Sequence, residues 1–188
     1  MSSQLTDLND LLRYITVFNS ESAYKQLFMS LYPVLKKFSY TLVKSQELAE
    51  EVASDVMMKI WLAKEQLSDI KNIKVYALIM ARNISLNIIK QQSKREFISL
   101  DDIQIELFLD THSPEQILIN KEIKNKLEFI IQSLPNRCKL VFKLVKEDGL
   151  SYKETAEILN ISIKTVDAHL VTAIKKITSA LKVEFNLN

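Results

Sequence analysis

The sequence predicts an all-α protein made of two small helical domains joined by an acidic linker, and three observations carry that reading. Apolar residues recur at the three-and-four spacing of a helix face along most of the chain. No stretch alternates strictly between apolar and polar residues, and no Asn-Gly hairpin dipeptide occurs in the 188 residues. A change of register and of charge near position 96 divides the two halves.

The elements follow in order. Leu5, Leu8, Leu11, Leu12 and Ile15 mark a first helix. Leu27, Phe28, Leu31, Leu35, Phe38 and Leu42 mark a second, which Pro33 should kink or restart rather than end, because the apolar period resumes beyond it. Leu48, Val52, Val56 and Ile60 form a third stripe with Trp61, read as a core residue because a large amphipathic ring is mostly buried. Val75, Leu78, Ile79, Leu86 and Ile89 form a fourth. The first domain is placed at 1–95 and a linker at 96–113. The second domain is placed at 114–188, opening at Ser113-Pro114-Glu115 with a serine cap and proline at the first helical position.

The sharpest local signal lies between Leu150 and Ile174. Ser151-Tyr152-Lys153-Glu154 is a capping box that opens a helix through Ala156, Ile158 and Leu159. Asn160 can take the left-handed conformation that ends it. Ser162 then caps another helix, with Val166, Leu170 and Ala173 turned inward. Ala156 is small where two helices must cross. This is helix-turn-helix spacing, with the second helix offered to a major groove. A plain αα-hairpin would give the same pattern of elements. The two caps, the small crossing residue and the basic surround favour DNA binding.

Composition removes other chemistries. Gly149 is the single glycine, against roughly 7% in average usage. Phosphate-cradling loops need several glycines for close backbone approach, so Walker, Rossmann and kinase-type loops are excluded. His112, His169 and Cys138 do not have zinc-ligand spacing. One thiol cannot close an intramolecular disulfide, which points to a reducing cytosol. No apolar run approaches the roughly 18 residues of a membrane span. The first twenty residues, with Arg13 as their one cation, lack a signal-peptide pattern. No metal, cofactor, small-molecule substrate or catalytic group is expected.

The net charge of +2 conceals a segregated pattern. Residues 70–95 hold six cations (Lys71, Lys74, Arg82, Lys90, Lys94 and Arg95) and no carboxylate. Residues 97–120 hold five carboxylates and no cation, and 137–182 hold nine cations against five carboxylates. Basic, acidic, basic suggests two nucleic-acid-facing bodies and an acidic connector.

Leu134-Pro135-Asn136-Arg137 with Val141-Phe142, the stretch Glu147 to Ala156, and Ile161-Ser162-Ile163-Lys164-Thr165-Val166 resemble region 4 of bacterial sigma factors, most closely the extracytoplasmic-function group. Independently, Ala49 to Trp61 resembles region 2.2, and Tyr76 to Asn83, running on to Lys90, resembles regions 2.3 and 2.4. The resemblance spans roughly residues 20–182 with no region 3 domain between the halves.

The resemblance implies a cytoplasmic bacterial subunit that gives core RNA polymerase its promoter choice and helps open the duplex. It implies docking on the polymerase clamp through Glu51, Asp55 and Lys59. Ser54 stands where the family usually has glutamine, which shortens that contact. It implies capture of an unpaired −10 base by Lys71, Asn72, Lys74 and Asn83, with Arg82, Lys90, Lys94 and Arg95 steering phosphates. Reading of the −35 element falls to Arg137, Ser162, Lys164, Thr165, Ala168, His169, Thr172, Lys175 and Lys176. Family members often carry arginine at the positions of Asp167, His169 and Thr172, where a guanidinium can bind guanine bidentately, so a different −35 sequence is expected. The acidic connector would thread basic polymerase channels. Control by an anti-sigma factor, often anchored in the inner membrane, is also implied. The alternative is a helix-turn-helix regulator acting without core polymerase, which would account only for residues 134–182.

Overall fold

The computed structural model describes residues 7–93, 103, 105 and 128–184, and every regular element among them is helical. Leu5, Lys94, Arg95, the connector carboxylates, His112 and the Ser113-Pro114 cap lie outside the described residues. The chain folds into two compact units, 1–98 and 99–188.

The first unit contains α1 (Leu8–Phe18), α2 (Glu21–Val43), α3 (Gln46–Leu62), a 3-10 turn (Lys64–Gln66) and α4 (Ile73–Ser93). Short polar residues start the first three: Asp7 accepts from Asn9 N–H, Ser20 from Ala23 N–H and Ser45 from Leu48 N–H. Asn19 and Lys44 end α1 and α2 in the left-handed conformation. Helix α2 runs unbroken through Pro33. Pro33 and Met29 are both exposed, so the carbonyl that loses its donor sits on the solvent side, where water can replace the bond.

The core of this unit joins Leu11, Leu12 and Ile15 of α1 to Leu27, Leu31, Leu35 and Phe38 of α2. Val52, Val56, Met57 and Ile60 of α3 complete it. Helix α4 departs from the expected stripe: Ile79, Leu86 and Ile89 are only half-buried. Val75 and Leu78 are buried as expected, and with them runs a buried seam of small residues, Ala77, Ala81 and Ser85, one per turn. Such a seam lets α4 approach α2 and α3 closely, and small residues carry little hydrophobic signal in a sequence.

The second unit contains helical residues 128–132, α5 (Asn136–Phe142) running into a π turn (Lys143–Glu147), α6 (Tyr152–Leu159) and α7 (Ile163–Glu184). Ile103 and Ile105, from the expected connector, are buried in it. Ile105 is held by both backbone groups: its N–H donates to Asn136 Oδ1 (3.1 Å), and its carbonyl accepts from Lys139 Nζ (2.8 Å). The same ammonium donates to the Gln132 carbonyl at 2.8 Å.

Gly149 follows the π turn at φ +69°, with nothing within 4 Å of where a Cβ would stand. Space is therefore not the constraint; backbone conformation is. Gly149→Ala is expected to destabilise the second unit by about 1 kcal/mol, measured by urea unfolding, because only glycine adopts positive φ without strain.

Candidate nucleic-acid and polymerase interface

Three surfaces carry the sequence-predicted residues. On α3, Glu51 and Lys59 are exposed and Asp55 is half-buried. Spacing of three and four residues puts Glu51, Asp55, Met58 and Leu62 on one outer face. Met58 is 52% exposed and Leu62 73%, so this face is acidic at one end and apolar at the other. Sequence reasoning missed both apolar residues. The signal was available, since both fall off the inward Val52, Val56 and Ile60 stripe. Glu50, beside this face, is held by Lys36 at 2.6 Å. Hydrogen bonds from Lys36 and then Gln46 keep its carboxyl below the usual range.

Trp61 is half-buried rather than part of the core, which corrects the sequence reading. Its ring lies 4.7 Å from that of Tyr24, and the Lys64 ammonium stands 3.9 Å over it. The cation keeps one ring face at the surface. Tyr24 is fixed in turn by donating its hydroxyl to the Met57 carbonyl at 3.0 Å, and burial raises its pKa.

The second surface is α4 and the loop before it. Lys71 is exposed; Asn72 caps the helix, its Oδ1 accepting from Val75 N–H at 3.1 Å, and Lys74 is half-buried. Tyr76, Asn83 and Lys90 follow at intervals of seven and so share a face. Tyr76 is half-buried, while Asn83 and Lys90 are exposed. Arg82 directs two N–H groups onto Asn83 Oδ1, at 3.1 and 2.7 Å. Half-burial pulls the guanidinium's pKa below its ordinary value, although arginine stays charged.

The third surface is the helix-turn-helix, and here the local reading holds. Ser151 and Glu154 form the reciprocal capping box, and Asn160 is left-handed at φ 55°. Ala156, Val166, Leu170 and Ala173 are buried as expected. Ser162 Oγ accepts from Thr165 N–H at 3.0 Å, and the two hydroxyls lie 2.8 Å apart. The hydroxyls of Ser162 and Thr165 thus serve the cap. Thr172 donates its own to the Ala168 carbonyl at 2.8 Å.

Helical spacing sorts the candidates on α7 into two stripes, at about 100° per residue. Lys164, Ala168 and Lys175 lie opposite the inward row of Val166, Leu170 and Ala173, and all three are exposed. Thr165, His169, Thr172 and Lys176 form an adjacent stripe. There His169 is half-buried, with Nδ1 3.6 Å from Cys138 Sγ. Burial raises the pKa of this thiol, against a lowering pull from the Lys176 charge. The two atoms are within hydrogen-bonding reach, and the imidazole tautomer sets which of them donates. Arg137, next to Cys138, is half-buried. Asp167 is exposed on the opposite flank from the His169 stripe. Two of the nine cations counted in this half, Lys139 and Lys143, are buried, so the basic surface is smaller than the sequence suggests.

Comparisons with known proteins assign both units. Residues 27–95 match the family model for sigma-70 region 2, and residues 124–177 match that for sigma-70 region 4. The ECF RNA polymerase sigma-E factor of Escherichia coli is 25% identical over 130 residues, covering 65% of this chain and 68% of the relative. The ECF RNA polymerase sigma factor SigM of Bacillus subtilis is 26% identical over 151 residues, covering 80% and 87%. Among solved structures, the sigma factor RpoE in complex with the anti-sigma factor NepR, from Bartonella quintana, is similar in fold. It has a TM-score of 0.59 at 20% identity and covers 85% of this chain and 97% of that one. CnrH in complex with the cytosolic domain of CnrY gives 0.57 at 15%, covering 94% and 99%. With regions 2 and 4 matched in order on its two helical units, the chain belongs to the sigma-70 family, as an extracytoplasmic-function sigma factor.

Proposed function

We propose that the chain acts as an alternative sigma factor, binding core RNA polymerase through the outer face of α3 and directing initiation through −10 and −35 contacts. The observation that carries this reading is the presence of both family regions in one chain, in order. An ordinary helix-turn-helix regulator would leave residues 27–95 without a role. Glu51, Asp55 and Lys59 meet the polymerase, joined by Met58 and Leu62. Lys71, Asn72, Lys74 and Asn83 take the unpaired −10 strand, with Arg82 and Lys90 on phosphates. Lys164, Ala168, His169 and Thr172 address the −35 bases. Arg137, Ser162, Thr165, Lys175 and Lys176 hold the backbone, because phosphate contacts fix register while base contacts carry sequence.

The chain works in the bacterial cytoplasm, where polymerase and promoter meet, and it performs no catalysis of its own. An anti-sigma factor is its expected regulator, in keeping with the RpoE–NepR complex that shares its fold. The test is capture of bacterial core polymerase by the wild type and by Asp55→Arg. Stoichiometric capture is expected from the wild type, falling at least about tenfold in the variant, since a like charge set against a basic partner costs several kcal/mol. No capture by the wild type, together with tight duplex binding by the free chain, would establish the regulator instead.

A further inference from the structure

We propose that Asn9 is a positioning residue for promoter opening: it holds the first turn of α4, and through it the Lys71–Lys74 segment, in the shape that receives the unpaired strand. This rests on the assignment of that segment to −10 capture. The first backbone N–H groups of any helix lack intrahelical acceptors. In α4 two asparagines share them. Asn72 takes the Val75 N–H locally, while Asn9, 64 residues earlier, takes the Ile73 N–H through Oδ1 at 3.0 Å.

Asn9 is itself held. Its backbone N–H donates to Asp7 Oδ1 at 2.7 Å, so the residue that starts α1 also fixes the residue that starts α4. Leu11, Leu12 and Ile15 are buried beneath, and α1 packs against both the 3-10 turn and α4. Leu67 and Ile73, at the two ends of the intervening loop, are buried as well. The loop therefore has pinned ends and an exposed Lys71 between them. A pinned loop loses less conformational freedom when it closes on a flexible single strand. Helix α1 precedes residues 27–95, the stretch matched to region 2, so the brace comes from outside the matched segment.

The experiment uses the full chain as holoenzyme on a promoter fragment selected by the wild-type holoenzyme from a library randomised at −10 and −35. Opening is read as permanganate reactivity of −10 thymines per bound complex, beside core capture and melting temperature. Asn9 is exposed, so substitution does not open the core. Asn9→Ala is expected to lower opening about fivefold with core capture unchanged, the size of one net hydrogen bond. Asn9→Asp keeps an acceptor at the same place, where the helix N-terminus favours a negative charge, and is expected to restore opening. Wild-type opening in Asn9→Ala, while Asn83→Ala is impaired, overturns the proposal alone. Equal losses in the alanine and aspartate variants, tracking melting temperature, also overturn it. Normal opening in both Asn9→Ala and Asn83→Ala overturns the −10 assignment on which it rests.

Discussion

Asp148→Ala is expected to destabilise the second unit by about 3–5 kcal/mol, because it strands a buried ammonium without its counter-charge. Lys143 Nζ lies 2.7 Å from both Asp148 oxygens, with the lysine side chain 2% exposed and the aspartate 20%. The pair closes the π turn end to end, from its first residue to the residue after its last. Leu150 N–H then donates to the Leu144 carbonyl at 2.9 Å, which fixes where the helix-turn-helix begins. The two partners are not equivalent. Lys143→Met leaves a carboxylate that water reaches in part, and is expected to cost about half as much or less. Calorimetry checks the size of both losses. Fluorescence gives an internal control, since the single tryptophan, Trp61, lies in the first unit and its transition should stay in place.

Asn83→Ala is expected to lower open-complex formation about ten- to a hundredfold, the range of one lost side-chain contact to a base edge, and to flatten preference at one −10 position. In the structure the side-chain oxygen of Asn83 is engaged by Arg82. Arginine only donates, so the atom of Asn83 facing Arg82 must be the carbonyl oxygen. On the proposed −10 reading, the amide N–H2 is then the group Asn83 offers to acceptor atoms of an extruded base. Arg82→Lys removes the fork that sets this orientation and is expected to give a smaller loss of the same kind. Competition among −10 variants for the mutant holoenzymes tests both. An Asn83→Ala enzyme with unaltered base preference would remove Asn83 from the reading site.

Much of the site was legible because its signals are local. The Ser151–Glu154 box, the Asn160 terminus and the Ser162 cap each involve residues within three or four positions of one another, so spacing alone determines them. What was not legible depended on which way a side chain turns once its element is packed, whether its partner is near in sequence or far. Lys139 and Lys143 counted as surface charge until their acceptors were known. Trp61 was assigned to the core because nothing in its own helix announced Lys64 over its outer face. His169 read as a plain base reader, yet it leans on Cys138, 31 residues away.

By itself, then, the sequence determined the four helices of the first unit, the two helices of the helix-turn-helix with their caps, and the family. These follow from hydrogen bonds and apolar periodicities that a helix closes within one or two turns. Tertiary structure alone decided which cations are buried, that Asn9 caps α4, and that His169 leans on Cys138. A polar side chain carries no record of its partner. Whether it is a solvated charge, a cap or a buried clamp depends on which backbone the fold brings within about 3 Å of it.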